Sequence, residues 1–182
     1  MRCSATVVSI MLLILAVAAA EGQSATPRPS PEVKKWDVWA GDWVLSGTSK
    51  DSPTGAEYKV DWTIQGHWFL GGFFVEDDQV WKGNGAEVHF KEILYYDPIK
   101  KALANAGFGS DGSTWAQTVT FDNETSTEDG IVTTPDGEVL TCRNTWVFSN
   151  NRMAVTGVQE CEQKGVRWTA LRVKGTKSKT TH

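Results

Sequence analysis

The chain has 182 residues, with 18 Lys and Arg against 22 Asp and Glu, for a formal charge of −4. That balance argues against a nucleic-acid partner or an anionic membrane surface, both of which call for a basic patch. The length suits one domain with a full core, and nine tryptophans against three histidines favour aromatic packing over metal or haem ligation.

Arg2 precedes an apolar run from Val7 to Ala20, which ends in the small residues Ala18-Ala19-Ala20. This is the pattern of a signal peptide cleaved before Glu21. The run falls short of the ~20 apolar residues a spanning helix needs. Cys3 lies too early to be a lipoprotein cysteine. Residues 1–20 are thus expected to be a leader, 21–30 a Pro-broken disordered linker, 31–175 a barrel domain and 176–182 a disordered tail. The expected location is secreted or periplasmic, with no membrane attachment after cleavage.

Ser30-Pro31-Glu32 reads as a helix start: a capping serine, proline at the first helical position and an acid in the first turn. Val33, Trp36 and Ala40 then share one face of a helix of about ten residues, too short to stand alone in water. Beyond Gly41 the period changes to two. Tyr58, Val60, Trp62 and Ile64 alternate with polar residues. Residues 68–76 form a denser apolar run in which Gly71-Gly72 predicts a bulge or bend. Glu76-Asp77-Asp78 reads as a solvated turn, since it lacks the spaced oxygen ligands of a calcium loop.

The alternation continues through Val88, Phe90, Leu94 and Tyr96, then a small-residue strand over 101–109, then Trp115, Gln117, Val119 and Phe121. Lys82-Gly83-Asn84-Gly85, Asp97-Pro98, Asp111-Gly112, Pro135-Asp136-Gly137 and Asn150-Asn151 punctuate the strands as turns. Asn123-Glu124-Thr125 is a glycosylation sequon in a polar loop. The pattern predicts an all-β fold: about ten antiparallel strands closing as a barrel, with one short N-terminal helix.

Cys142 and Cys161 remain after leader removal, and an oxidising compartment favours their pairing. If Asn150-Asn151 is a two-residue hairpin turn, Ser149 faces Arg152 and Trp146 faces Val155. The two cysteines then lie on one face but one pair out of register, so a bulge is required to join them.

Gly41-Asp42-Trp43 after the short helix resembles the Gly-x-Trp step of lipocalins and other calycins. Residues 68–76 (Trp-Phe-Leu-Gly-Gly-Phe-Phe-Val-Glu) and 93–101 (Ile-Leu-Tyr-Tyr-Asp-Pro-Ile-Lys-Lys) resemble the family catalogued as domain of unknown function 1579 (DUF1579). Its members carry a Gly-Tyr-Asp-Pro-type turn at the place where this chain has Tyr95. The resemblance spans residues 32–173 and implies a lipocalin-like barrel. It brings no catalytic residues and no cofactor.

Enzyme motifs are missing. There is no Gly-x-Ser-x-Gly elbow and no phosphate loop, and His67, His89 and His182 share no ligand spacing. Trp62, Trp115 and Trp146 fall on apolar faces, either as filler or as an aromatic cage. Trp43 is expected to close the barrel bottom beneath Arg167 or Arg172.

Four polar residues break the apolar faces. By parity Glu92 aligns with Phe90 and Leu94, Gln117 with Trp115 and Val119, Asn144 with Trp146 and Phe148, and Gln159 with Val155. A buried unpaired polar group costs about 1–3 kcal/mol, so these four must meet one another, water or a ligand. The candidate ligand-binding set is therefore Trp62, Glu92, Trp115, Gln117, Asn144, Trp146 and Gln159, around a small apolar ligand. No catalytic or metal-ligating residue is assigned. Two alternatives stay open: a non-catalytic barrel with a filled interior, and an isomerase, cyclase or hydrolase using Glu92 as acid or base.

Overall fold

The computed structural model describes residues 27–178. The proposed leader, its cleavage step, most of the linker and the last four residues lie outside that range. Ten antiparallel strands form a closed barrel in which every strand pairs with its sequence neighbours and the first closes onto the last. The strands are β1 (Gly41–Ser49), β2 (Tyr58–Phe69), β3 (Phe74–Gly83), β4 (Ala86–Asp97), β5 (Ala102–Gly109), β6 (Thr114–Asp122), β7 (Thr125–Thr133), β8 (Val139–Ser149), β9 (Ala154–Gln163) and β10 (Val166–Lys177). Closure leaves no free sheet edge. Among the described residues no helix is long and apolar enough to cross a membrane.

The N-terminal segment is a 3₁₀ helix, Pro31–Val38, and Ser30 makes no side-chain cap. The expected α-helical face of Val33, Trp36 and Ala40 is replaced by Val33, Trp36 and Trp39, all buried. Their spacing of three residues is the 3₁₀ period. This segment plugs one end of the barrel. Trp39 packs on Trp43, Trp146 and Phe148 at centroid distances of 5.6, 5.1 and 5.3 Å. Trp36 packs edge-on against Phe121 and donates its indole N–H to the Tyr95 carbonyl.

The cation above Trp43 is neither Arg167 nor Arg172 but Lys177, 5.7 Å from the ring centroid. Arg167 pairs with Glu162, and Arg172 reaches Thr169. Lys177 donates to the carbonyls of Asp37 and Val38, tying the last strand to the end of the plug. The ordered sheet therefore runs two residues past the boundary expected at Gly175, because Trp43 pairs with Lys177.

Two further expectations change. The apolar run over 68–76 is not one bent strand. Leu70–Gly72 forms a short 3₁₀ turn between β2 and β3, with Gly71 and Gly72 at φ 68° and 85°. The β8–β9 connection is a four-residue turn, with Asn150, Asn151 and Arg152 all left-handed. Ser149 therefore faces Ala154, and Trp146 faces Gly157 rather than Val155. That register places Cys142 directly opposite Cys161, and no bulge is needed for their disulfide. The bridge is buried beside Leu140, Trp168 and Ala170, toward the barrel end opposite the plug.

Candidate functional site

The barrel encloses a cavity of about 410 Å³. Its floor is the plug, with Trp39 at the bottom. Its mouth lies at the other end, among Asp51, Tyr58, Asn84, Asp111, Ser113 and Thr134. Tyr58 donates its hydroxyl to Asp51 there. Burial and that acidic acceptor push the Tyr58 phenol up to about 12.

Cross-strand register builds a polar belt halfway down. Asp77 on β3 faces Glu92 on β4, and Glu92 faces Gly107 on β5. Asn105 faces Gln117, while Glu128, Asn144 and Gln159 lie in one row across β7, β8 and β9. Because strand side chains alternate, these residues share the inner face with their apolar neighbours. Asp77 is 1% exposed and Glu128 5%.

Two small networks hold the belt. Trp115 donates its indole N–H to Glu92 Oε1 at 2.8 Å, and Gln79 donates to Glu92 Oε2 at 2.9 Å. Asn144 donates to Glu128 Oε2 at 2.9 Å and, more weakly, to Gln117 Oε1 at 3.3 Å. Trp146 faces the Glu128 carboxyl, although its N–H falls short of hydrogen-bond geometry. Other buried polar atoms have no protein partner: Asp77 Oδ1, Asn105 Oδ1, Asn144 Oδ1, Gln117 Nε2, Ser126 Oγ and the N–H groups of Trp62 and Trp146. Such orphans are uncommon in a folded protein.

All three carboxyls are pushed upward. Burial is the largest cause for each. Asp77 rises well above the carboxylate range, with further push from Glu92 and Glu128. Glu92 rises to about 8, repelled by Glu128 and held back in part by Trp115 and Gln79. Glu128 rises too, held back mainly by Asn144. A like-charged cross-strand pair such as Asp77–Glu92 is unfavourable when both ionise, so the belt disfavours full ionisation. No Lys, Arg or His lines the cavity among the described residues.

Two glycines let the indoles lie flat against the sheet. A Cβ at Gly107 would fall 2.1 Å from Trp115 Cζ2, and one at Gly157 would fall 2.1 Å from Trp146 Cζ3. Gly107→Ala is therefore expected to force Trp115 off Glu92 and to cost about 1–3 kcal/mol, as overpacking does. Chemical denaturation reads the loss, and tryptophan emission reads the displaced ring. Unchanged stability and emission would contradict this packing account.

All seven residues expected at a ligand site (Trp62, Glu92, Trp115, Gln117, Asn144, Trp146 and Gln159) line this one cavity. Asp77, Gln79, Asn105 and Glu128 were not foreseen. Asp77 is the clearest correction, since Glu76-Asp77-Asp78 is not a turn but the middle of β3. There Glu76 and Asp78 point outward to Lys91, at 2.6 and 2.5 Å, while Asp77 points inward. The alternation of Val75, Asp77, Gln79 and Trp81 held the signal. Glu128 offered none, because β7 has almost no apolar residues. His67 and His89 are exposed and pair with Glu76 and Glu87, away from the cavity. Among the described residues no group of three or more His, Cys, Asp or Glu is placed to hold a metal ion.

Comparison with known proteins gives no match, either to a family model or to a curated protein.

Proposed function

We propose that this protein binds a small, largely apolar molecule inside the barrel. The cavity carries the reading: about 410 Å³, walled by Trp62, Trp81, Trp115 and Trp146, lies within the ~300–1,000 Å³ of ligand pockets. Unpaired polar atoms on its wall support a ligand over mere filler, since solvation or a partner must answer them. The calycin-type Gly-x-Trp step and the resemblance to DUF1579 belong to the same proposal. So does an exported location, which the Cys142–Cys161 bridge favours.

A second reading, general acid or base catalysis by Glu92, has one observation in its favour: a carboxyl that titrates near neutrality in a largely apolar pocket.

Titration with naphthylethanol, a neutral and mainly apolar probe, tests the binding reading. Saturable binding followed by calorimetry is expected, with Trp62→Ala and Trp146→Ala each weakening it at least five-fold. No binding by the folded protein at the solubility limit of the probe would overturn the proposal.

A further inference from the structure

Three carboxyls, Asp77, Glu92 and Glu128, converge on one cavity, and no cationic side chain lines it among the described residues. Folding such a group together is unfavourable in either form: ionised, the carboxylates are desolvated and repel one another; protonated, they hold protons far from their usual range. No described residue lining the cavity supplies the positive charge that would offset it.

The shape of the site says what kind of charge. A metal ion needs several oxygens on one centre, and no such group exists among the described residues. The acids are instead spread around a belt, and Asp77 Oδ1 and Asn144 Oδ1, on buried side chains that line the cavity, accept no hydrogen bond from the protein. Above and beside the belt stand indole faces. Trp62 lies 5.6 Å from Trp81 and 6.0 Å from Trp146, centroid to centroid. Indole faces attract organic cations as well as apolar groups. An anionic ligand would meet three acidic groups, and a neutral hydrocarbon would offer the belt no hydrogen bond.

Resting on the reading of the barrel as a small-molecule binder, we infer that the occupant is an organic amine, bound as its ammonium ion within the Asp77–Glu92–Glu128 belt with its apolar body against Trp62, Trp81 and Trp146. The ammonium donates to carboxyl oxygens of the belt, and one belt carboxyl gives up its proton as the cation enters. Charge is conserved inside the barrel: one proton leaves for each cation bound. The proton goes to bulk solvent through the mouth. Glu76 and Asp78 lie outside the wall and are neutralised by Lys91. Lys177 does not line the cavity: it lies over Trp43 on the Asp37 and Val38 carbonyls, within electrostatic reach of Asp77. The exchange therefore involves the three inner acids.

The test compares naphthylethylamine with naphthylethanol, which share a ring and chain and differ in charge. Calorimetry at about pH 7.5 is expected to show the amine binding at least ten-fold tighter than the alcohol, a ratio in keeping with charge-assisted hydrogen bonds. Repeating the amine titration in two buffers of different ionisation enthalpy is expected to show about one proton released per amine. Glu92→Gln and Asp77→Asn are each expected to bring the ratio below about three.

Equal affinities for amine and alcohol would overturn the amine inference and leave the binding reading standing. Failure of both probes to bind would overturn both. Tighter amine binding with no proton release, or a ratio unmoved by either substitution, would overturn the assignment of the acidic belt as its seat.

Discussion

Ligand-free protein is expected to lose stability as the pH is raised from about 5 to about 8.5, and Glu92→Gln is expected to remove much of that loss. In the folded barrel Glu92 keeps its proton up to about 8, against an ordinary value of 4.5, because the barrel interior desolvates this half-buried acid beside Glu128. Between those values the folded chain binds more protons than the unfolded chain, so stability falls as pH rises through the interval. The stabilising contribution is complete below the unfolded value and lost above the folded one. Asp77 and Glu128 are displaced in the same direction and add to the slope.

A displacement of this size corresponds to a loss on the order of a few kcal/mol, or a fall in thermal midpoint of roughly 10 °C for a domain of this length. Gln keeps the shape of the protonated acid but has no proton to lose. Glu92→Gln is thus expected to be the more stable protein at about pH 8.5 and no more stable than the parent at about pH 5. Thermal unfolding followed across the pH range decides it. A flat profile in the parent, or a variant less stable at high pH, would show that the acid belt is not held in the protonated form.

Removing the centre of the plug is the second large effect. Trp39 is 4% exposed and touches three other rings. Trp39→Ala withdraws one of the largest side chains from a site with no other filler, and such truncations cost about 3–5 kcal/mol. It also joins the cavity to the space left behind, because Trp39 forms part of the cavity floor. The expected result is a lower denaturation midpoint at unchanged slope, with looser closure of the floor. Trp39→Phe keeps much of the ring contact and is expected to lose less than half as much. A loss below about 1 kcal/mol for the alanine variant would mean that the 3₁₀ segment rests on a barrel that does not depend on it.

Much of this molecule was legible before its structure. Alternation in residues 58–64 and 115–121 marked strands, because a half-buried strand exposes every second residue. The same parity put Glu92, Gln117, Asn144 and Gln159 on the inner face, and all four line the cavity. Parity is a local property and survives errors elsewhere in the chain.

Register did not survive them. Reading Asn150-Asn151 as a two-residue turn displaced Trp146 from Gly157 and left the cysteines out of step. The backbone instead spends three left-handed residues there, and a turn two residues longer shifts every pair beyond it. The period of the first helix failed likewise, since Val33, Trp36 and Trp39 fit a 3₁₀ face only once there is a barrel end to close.

Local composition by itself determined the strands, the face each side chain takes and the presence of polar groups among apolar ones. Only the closed sheet decided that Asp77 and Glu128 belong with Glu92. Asp77 sits between two outward acids, and Glu128 sits in a strand with almost no apolar pattern. What turns them inward is the curvature of ten paired strands, which gives every strand an inner face whether or not its own residues are apolar. A cluster drawn from β3, β4 and β7 is a property of that closure, because residues so far apart along the chain meet only when the last strand pairs with the first.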